Sequence, residues 1–354
     1  MIRLFHTSLS SFALVVTLAL AAGCSDPAPN QPPPTEPPAW QVALDKGDLD
    51  RAVLSVWGSG PDDVFAVGGP LGNGQETLAL HYDGETFREL HPGGTETYWW
   101  VAGSSADDVW MVGEKGRISH WDGSAFTDHA SGVTATLWGV WAAGKADAWA
   151  VGGTPEGGTA APNDILLHWD GVSWSPVVLP GPAKGVSLYK IWGVSSDDLY
   201  VVGEAGAIWH KKGATWLFES DPPLASGTLF TVSGSSASEI YAVGGVDVLR
   251  SDGSTWTKVA EVMLGNGVNG VACNGPGDVA LVGFGGLKQR LVKGAWVDDF
   301  EVPPHADLHA TWADGLGTFW AVGGNFIGKS QPGAAREGIV ARFGPGRIAN
   351  VISP

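Results

Sequence analysis

Thiols are almost absent. Cys24 and Cys273 are the only cysteines in 354 residues, too few for a disulfide framework, so the fold has to stand on a packed core. Basic residues are scarce as well. Lys and Arg number 20 against 37 Asp and Glu, a formal charge of −17, which leaves little to displace counterions from phosphate and argues against nucleic acid as a partner. Charged residues of both signs make up 16% of the chain, so solubility must rest on Gly, Ser and Thr under a thin acidic coat. No apolar run reaches the roughly 20 residues of a bilayer-spanning helix; Phe12–Ala22 stops well short. The repeated segments described below lack helical periodicity, and the G-x-S-x-G elbow of a serine hydrolase is not found. No catalytic residue, metal or cofactor is expected.

What is present begins with a leader. Arg3, the apolar run and the small residues up to Gly23 read as a secretory signal peptide over residues 1–23. Its ending, Leu20-Ala21-Ala22-Gly23-Cys24, resembles the bacterial lipobox, which implies cleavage before Cys24 and a diacylglyceryl group on its thiol. Plain signal cleavage or an uncleaved anchor are the alternatives. Ser25 after the cysteine resembles the sorting signal for the outer membrane, so the expected location is a lipid-anchored place on the cell envelope, periplasmic or surface-exposed. The stretch SDPAPNQPPPTEPP that follows is too rich in proline to bury anything. Residues 24–38 therefore read as a tether, able to hold the body on the order of 40 Å from a membrane at about 3.1 Å per residue. Cys273 is then left without a partner for an intrachain disulfide.

Residues 39–354 carry an internal repeat. VWGSGPDDVFAVG returns as VAGSSADDVWMVG, VWAAGKADAWAVG, IWGVSSDDLYVVG, VSGSSASEIYAVG, VACNGPGDVALVG and TWADGLGTFWAVG, closing on Gly68, Gly113, Gly152, Gly203, Gly244, Gly283 and Gly323. Short β-branched and aromatic runs cut by Gly, Asp and Ser at this period predict four-stranded propeller blades. In each unit strand a holds Trp57 or its equivalent and strand b ends at the closing glycine. Strand c ends at an Asp-Gly turn, as in HYDGETF and HWDGVSW, and strand d opens on an aromatic. The expected fold is all-β, one seven-bladed β-propeller, most simply a monomer. A seventh strand d is missing from its usual place. Trp40–Leu44 or Arg347–Val351 could supply it; the first is expected, because pairing one terminus with the other removes an open edge.

These residues resemble the bacterial Asp-box propellers, also called bacterial neuraminidase repeats, and the tryptophan-rich repeats of exported bacterial lipoproteins. The pattern is W-G-x-x-x-D-D-V-(W/F/Y)-x-V-G followed by (H/R)-x-D-G-x-x-W, over residues 40 to about 344. The resemblance implies fold rather than activity. A strict S-x-D-x-G-x-x-W box is not matched, since Ser251-Asp252-Gly253-Ser254-Thr255-Trp256 lacks the residue between Asp and Gly. The arginine triad and F-R-I-P signature of sialidases in that family are not found.

Repetition also sorts the candidate sites. The pairs Asp62-Asp63, Asp107-Asp108 and Asp197-Asp198 recur in register, so they are expected to accept hydrogen bonds from turn amides rather than to converge as hydrolytic carboxylates. His81, His120, His168 and His210 share one strand-c position and are expected to pack beside the Asp-Gly turn and bond a backbone carbonyl. His305 and His309 have metal-like spacing but no helix and no third ligand. The first inward position of strand a reads Leu54, Trp99, Trp138, Tyr189, Phe230, Asn269, His309 in blade order, a set expected at the channel mouth, free either to pack between blades or to stack on a ligand. Trp100 is expected to be an exposed aromatic, because its equivalents Ser55, Gly139, Lys190, Thr231, Gly270 and Ala310 show no demand for a large side chain. The b–c connections are enlarged in blades 1, 3 and 7, and the last of them carries Lys329 and Arg336. Trp99, Trp100, Trp138, Tyr189, Lys329 and Arg336 are thus the candidate binding residues, on a face where loops ride a rigid scaffold. The expected function is a noncatalytic, envelope-anchored binding or assembly module for a protein partner. A carbohydrate-binding surface protein or a sialidase-like glycoside hydrolase are the alternatives.

Overall fold

Each repeat folds into one antiparallel blade with strands in the order a-b-c-d, and seven such sheets make up the body. The computed structural model describes residues 37–353 apart from 46–47, 71–73, 156–162, 182–184, 221–222, 260–261, 263–264, 266, 325–336 and 349–351. The signal peptide, Cys24, most of the tether, Lys329 and Arg336 lie outside the described residues. Strand a, innermost in every blade, runs over Ala52–Gly60, Tyr98–Ser105, Leu137–Gly144, Leu188–Ser195, Thr231–Ser236, Val268–Gly275 and Leu308–Ala313. The core is not a single central mass. It lies between neighbouring blades, where valines and leucines of strands b and c bury Trp110, Trp209, Trp320, Tyr98, Tyr200 and Tyr241 almost completely.

The recurrent closing glycine has one physical cause. A Cβ on Gly68, Gly113, Gly152, Gly203, Gly244, Gly283 or Gly323 would stand 2.0–2.4 Å from the backbone carbonyl oxygen that leads into strand a of the same blade. Gly113 is extended at φ −168°, so what its position forbids is volume, not a backbone angle. The next residue along uses the same approach, as when Glu114 N–H donates to that oxygen on Thr97. Gly113→Ala is therefore expected to destabilise by about 1–3 kcal/mol, the cost of overpacking where backbone meets backbone. Urea unfolding checks it, and an unchanged midpoint would show that the loop yields freely.

The ring is closed by the N-terminal strand, as its spacing predicts. Ala39–Leu44 is strand d of blade 7, pairing antiparallel with Gly338–Gly344 in the register Trp40↔Phe343, Gln41↔Arg342, Val42↔Ala341. Trp40 is buried against Phe343, with ring centroids 5.7 Å apart, and its Nε1 donates to Asp299 of blade 6 at 2.9 Å. The C-terminal segment does something the repeat does not foretell: Ile352–Ser353 pairs parallel to Phe87–Leu90, adding a fifth strand to the rim of blade 1.

Candidate functional site

In six blades the pairing of strands a and b shifts register around one residue near the start of strand a, Leu54, Trp99, Trp138, Tyr189, Asn269 or His309, so that this residue sits at a β-bulge that re-aims its side chain. At the end where the d–a loops enter, the first inward position forms a chamber of about 240 Å³ lined by Trp99, Trp138, Tyr189, Phe230, Asn269 and His309, with Phe284 from the b–c turn of blade 6. Three predicted residues, Trp99, Trp138 and Tyr189, are thus brought together. The rings form a chain around the wall: Trp99 meets Trp138 at 4.7 Å, Trp138 stacks on Tyr189 at 5.6 Å, and Tyr189 meets Phe230 edge-on at 5.5 Å. Leu54, the seventh member, is fully buried beneath Trp99 and Phe284. Backbone bonds fix the set in place. Trp138 Nε1 donates to Gly153 O at 2.9 Å, and Asn269 Nδ2 donates to Leu308 O at 3.0 Å. His309 Nδ1 bonds Leu54 O; burial, and secondarily the charge of Lys190, push its pKa down to about 3, so its ring is neutral near pH 7.

One step further along strand a the structure corrects an expectation. Trp100 is not an exposed aromatic but half-buried, packed against the clusters of the neighbouring blades. The reason sits two blades away. Lys190 of blade 4 reaches across so that its Nζ lies 3.9 Å from the centre of the Trp100 ring, while donating to Trp138 O at 2.7 Å. The glycine of the blade between makes room: a Cβ on Gly139 would stand 2.7 Å from Tyr189 O and 3.1 Å from Lys190 Cα. Lys190 is buried, 4% exposed, and burial draws its pKa from the ordinary 10.5 down to about 7. Sequence reasoning missed it. The signal was there, a lysine at an inward position that holds Ser, Gly, Thr or Ala in five other blades.

Beyond this pair a second chamber of about 230 Å³ is lined by Trp57, Trp100, Trp141, Trp192 and Trp312 together with Cys273. Its indoles are packing elements. Trp57, Trp192 and Trp312 each lean over a glycine of the next blade, 2.6–2.9 Å from where a Cβ on Gly103, Gly234 and Gly58 would stand. Cys273 has its thiol pKa raised by burial, which keeps it protonated and unreactive.

The recurrent acids and histidines hold blades together, though not as expected. His81, His120, His168 and His210 bond the carboxylates of Asp63, Asp108, Asp147 and Asp198 at 2.6–2.9 Å, not a backbone carbonyl. His120, His168 and His210 also stack on the strand-b aromatics Trp110, Trp149 and Tyr200, and His81 packs tilted against Phe65. Ser59 and Ser104 donate to the second oxygen of Asp63 and Asp108. The order is therefore Ser–Asp–His, in which no imidazole touches the hydroxyl, so the serine is not activated as it is in a Ser–His–Asp triad. The turn-amide role belongs to the Asp of the c–d turn instead. Asp122 accepts from the Ser124 and Ala125 amides at 2.8 Å each, and bonds from Ser124 and these amides hold its pKa down to about 2; Asp83, Asp170 and Asp252 accept from their own turn amides in the same way, which lowers their pKa. His305 packs beside Phe300, apart from His309, and no metal-binding cluster occurs among the described residues.

No family model and no curated protein matches the sequence. Solved structures match in fold. YCF48 bound to D1 peptide aligns with a TM-score of 0.62 at 14% identity, covering 90% of this chain and 99% of that one. The WD40 propeller domain of Doa1 gives 0.65 at 11% identity, over 87% and 97%. A catalytically inactive virginiamycin B lyase from Staphylococcus aureus with quinupristin gives 0.65 at 14%, over 87% and 99%. These neighbours are β-propellers of diverse activity. The likeness to Asp-box repeats finds no support in sequence matches and stands as a likeness of fold.

Proposed function

We propose that the chain is a noncatalytic binding module that captures a protein partner at the aromatic mouth of its channel, held at the cell envelope through lipid on Cys24. The observation that carries this reading is the ring wall of Trp99, Trp138, Tyr189 and Phe230, whose rings pack in a chain with Trp138 held by its bond to Gly153 O, on the face where the b–c and d–a loops gather. A rigid aromatic surface with little entropy left to lose is the usual anchor of a protein interface. Neighbours in fold include a propeller bound to a peptide. The reading against a hydrolase rests on the Ser–Asp–His order and on acids dispersed by blade rather than facing across a cleft. Stacking on a sugar would need an open ring face, and Trp138 already turns one face to Tyr189. Phe230→Ala combined with Trp138→Ala is expected to weaken capture of an envelope partner by tenfold or more in a pull-down with the full chain. Unchanged capture by a folded double variant would overturn the reading.

A further inference from the structure

Lys190 is an anomaly among the buried charges of this protein. Lys288, equally buried, is satisfied: its Nζ donates to the carbonyls of Gly286 and Pro304 at 2.8 and 2.7 Å, with Asp299 and Asp298 near enough to act on it. Lys190 has a single acceptor, Trp138 O, and an indole face. Among the described residues no carboxylate pairs with it, in a chain that carries 37 acids against 20 bases. Buried cations are ordinarily paired, since an isolated one loses its hydration without recompense. This one borders the upper chamber, whose walls are mostly aromatic ring surfaces and hold no carboxylate among the described residues. The Trp99 Nε1–H is buried with no acceptor, whereas Asn269 commits its Nδ2 to Leu308 O and the neutral His309 ring its Nδ1–H to Leu54 O.

The geometry points to the C-terminal residue of a partner polypeptide, an apolar or aromatic side chain bearing a free α-carboxylate, as the occupant of the chamber, with Lys190 supplying its counter-ion. This rests on the chamber being the binding mouth. Size favours one residue: about 240 Å³ is below the roughly 300–1,000 Å³ of sites for drug-sized ligands. Charge favours an anion at the depth of Lys190, and the rings favour an apolar body above it. The carboxylate accepts from the protons of Nζ not used by Trp138 O, a charge-assisted bond in a water-poor site. The rest of the partner leaves toward the loop face, where the chamber opens.

The test is calorimetric titration of the full chain with N-acetyl-Gly-Gly-Phe carrying a free carboxylate, with the same peptide as its C-terminal amide, and with N-acetylphenylalanine. The free-acid peptide is expected to bind at least tenfold more tightly than the amide and more tightly than the single amino acid. Lys190→Met is expected to abolish the preference of acid over amide while leaving amide binding unchanged. Equal binding of acid and amide overturns the inference yet leaves the mouth as an apolar docking site. Failure of both to bind at millimolar concentration overturns it too, as does a preference that survives Lys190→Met. Tighter binding of N-acetylphenylalanine would mean a small carboxylate rather than a chain end. The mouth reading itself fails only if the Phe230 and Trp138 double variant still captures the partner.

Discussion

Deleting Ala39–Leu44 is expected to remove the cooperative unfolding transition of the whole body at 37 °C, not just to loosen one blade. The segment buries Trp40 and Leu44, and losing such side chains costs about 3–5 and 2–5 kcal/mol respectively. Those sums rival the whole stability of a typical domain, about 5–15 kcal/mol. The loss is also topological. Trp40 contacts Phe343 of its own blade and Asp299 of blade 6, while Ala43 and Leu44 belong to the cluster shared with blade 1, so three blades lose contacts at once. The strand Gly338–Gly344 would become an open edge next to an apolar face, a template for association. Circular dichroism melts and size-exclusion chromatography report both effects. A synthetic peptide spanning Pro37–Leu44 should restore part of the transition by adding back the missing strand. A deletion variant melting within a few degrees of the parent would show that closure does not depend on this strand.

Strand order, blade number and the closing strand were legible because each rests on a repeated local demand. A carbonyl that passes 2.0–2.4 Å from where a Cβ would be admits glycine alone, seven times over, and that leaves a mark in the sequence. The ring of Trp99, Trp138, Tyr189 and Phe230 was legible for the same reason, since equivalent strand-a positions take equivalent places in every blade. Where a side chain's fate depends on another blade, the repeat is silent. Trp100 reads as exposed when compared with its equivalents, and only the fold brings Lys190, 90 residues later, onto its ring. Likewise Asp63 and His81 are 18 residues apart and meet because strands b and c pair, so a reading of turns alone gave the histidines backbone partners. The C-terminal strand at the rim of blade 1 has no repeat behind it and left no pattern to read.

The Trp100–Lys190 contact lies where local preference conflicts with the global fold, which is where functional sites are found in natural proteins. An amine buried without a carboxylate is such a conflict, and its thermodynamic signature can be measured. Replacing Lys190 with Met keeps an unbranched apolar stem and removes the charge, so Lys190→Met is expected to be more stable than the parent in neutral and mildly acidic solution. The size of the gain follows from linkage. The unfolded chain holds the proton up to about pH 10.5, whereas burial in the fold releases it near pH 7. Between those values the unfolded state binds more protons, and the stability of the parent therefore rises with pH. Below pH 7 both states are charged and the penalty is complete, on the order of 5 kcal/mol at about 1.4 kcal/mol per pH unit, less about 1 kcal/mol for the bond to Trp138 O.

The difference between variant and parent is thus expected to be greatest near pH 7 and to shrink steadily toward pH 10. Other groups do not mimic this. His309 titrates far below the window, Tyr98 and Tyr241 are pushed up to about 12, and the slope from Lys288, pushed down to about 8, is present in both proteins and cancels. Urea unfolding at pH 7, 8, 9 and 10 measures the gap, and a gap independent of pH would sink the argument. The free-acid peptide should then stabilise the parent more than the variant, because its carboxylate relieves in the parent a penalty that the variant does not have.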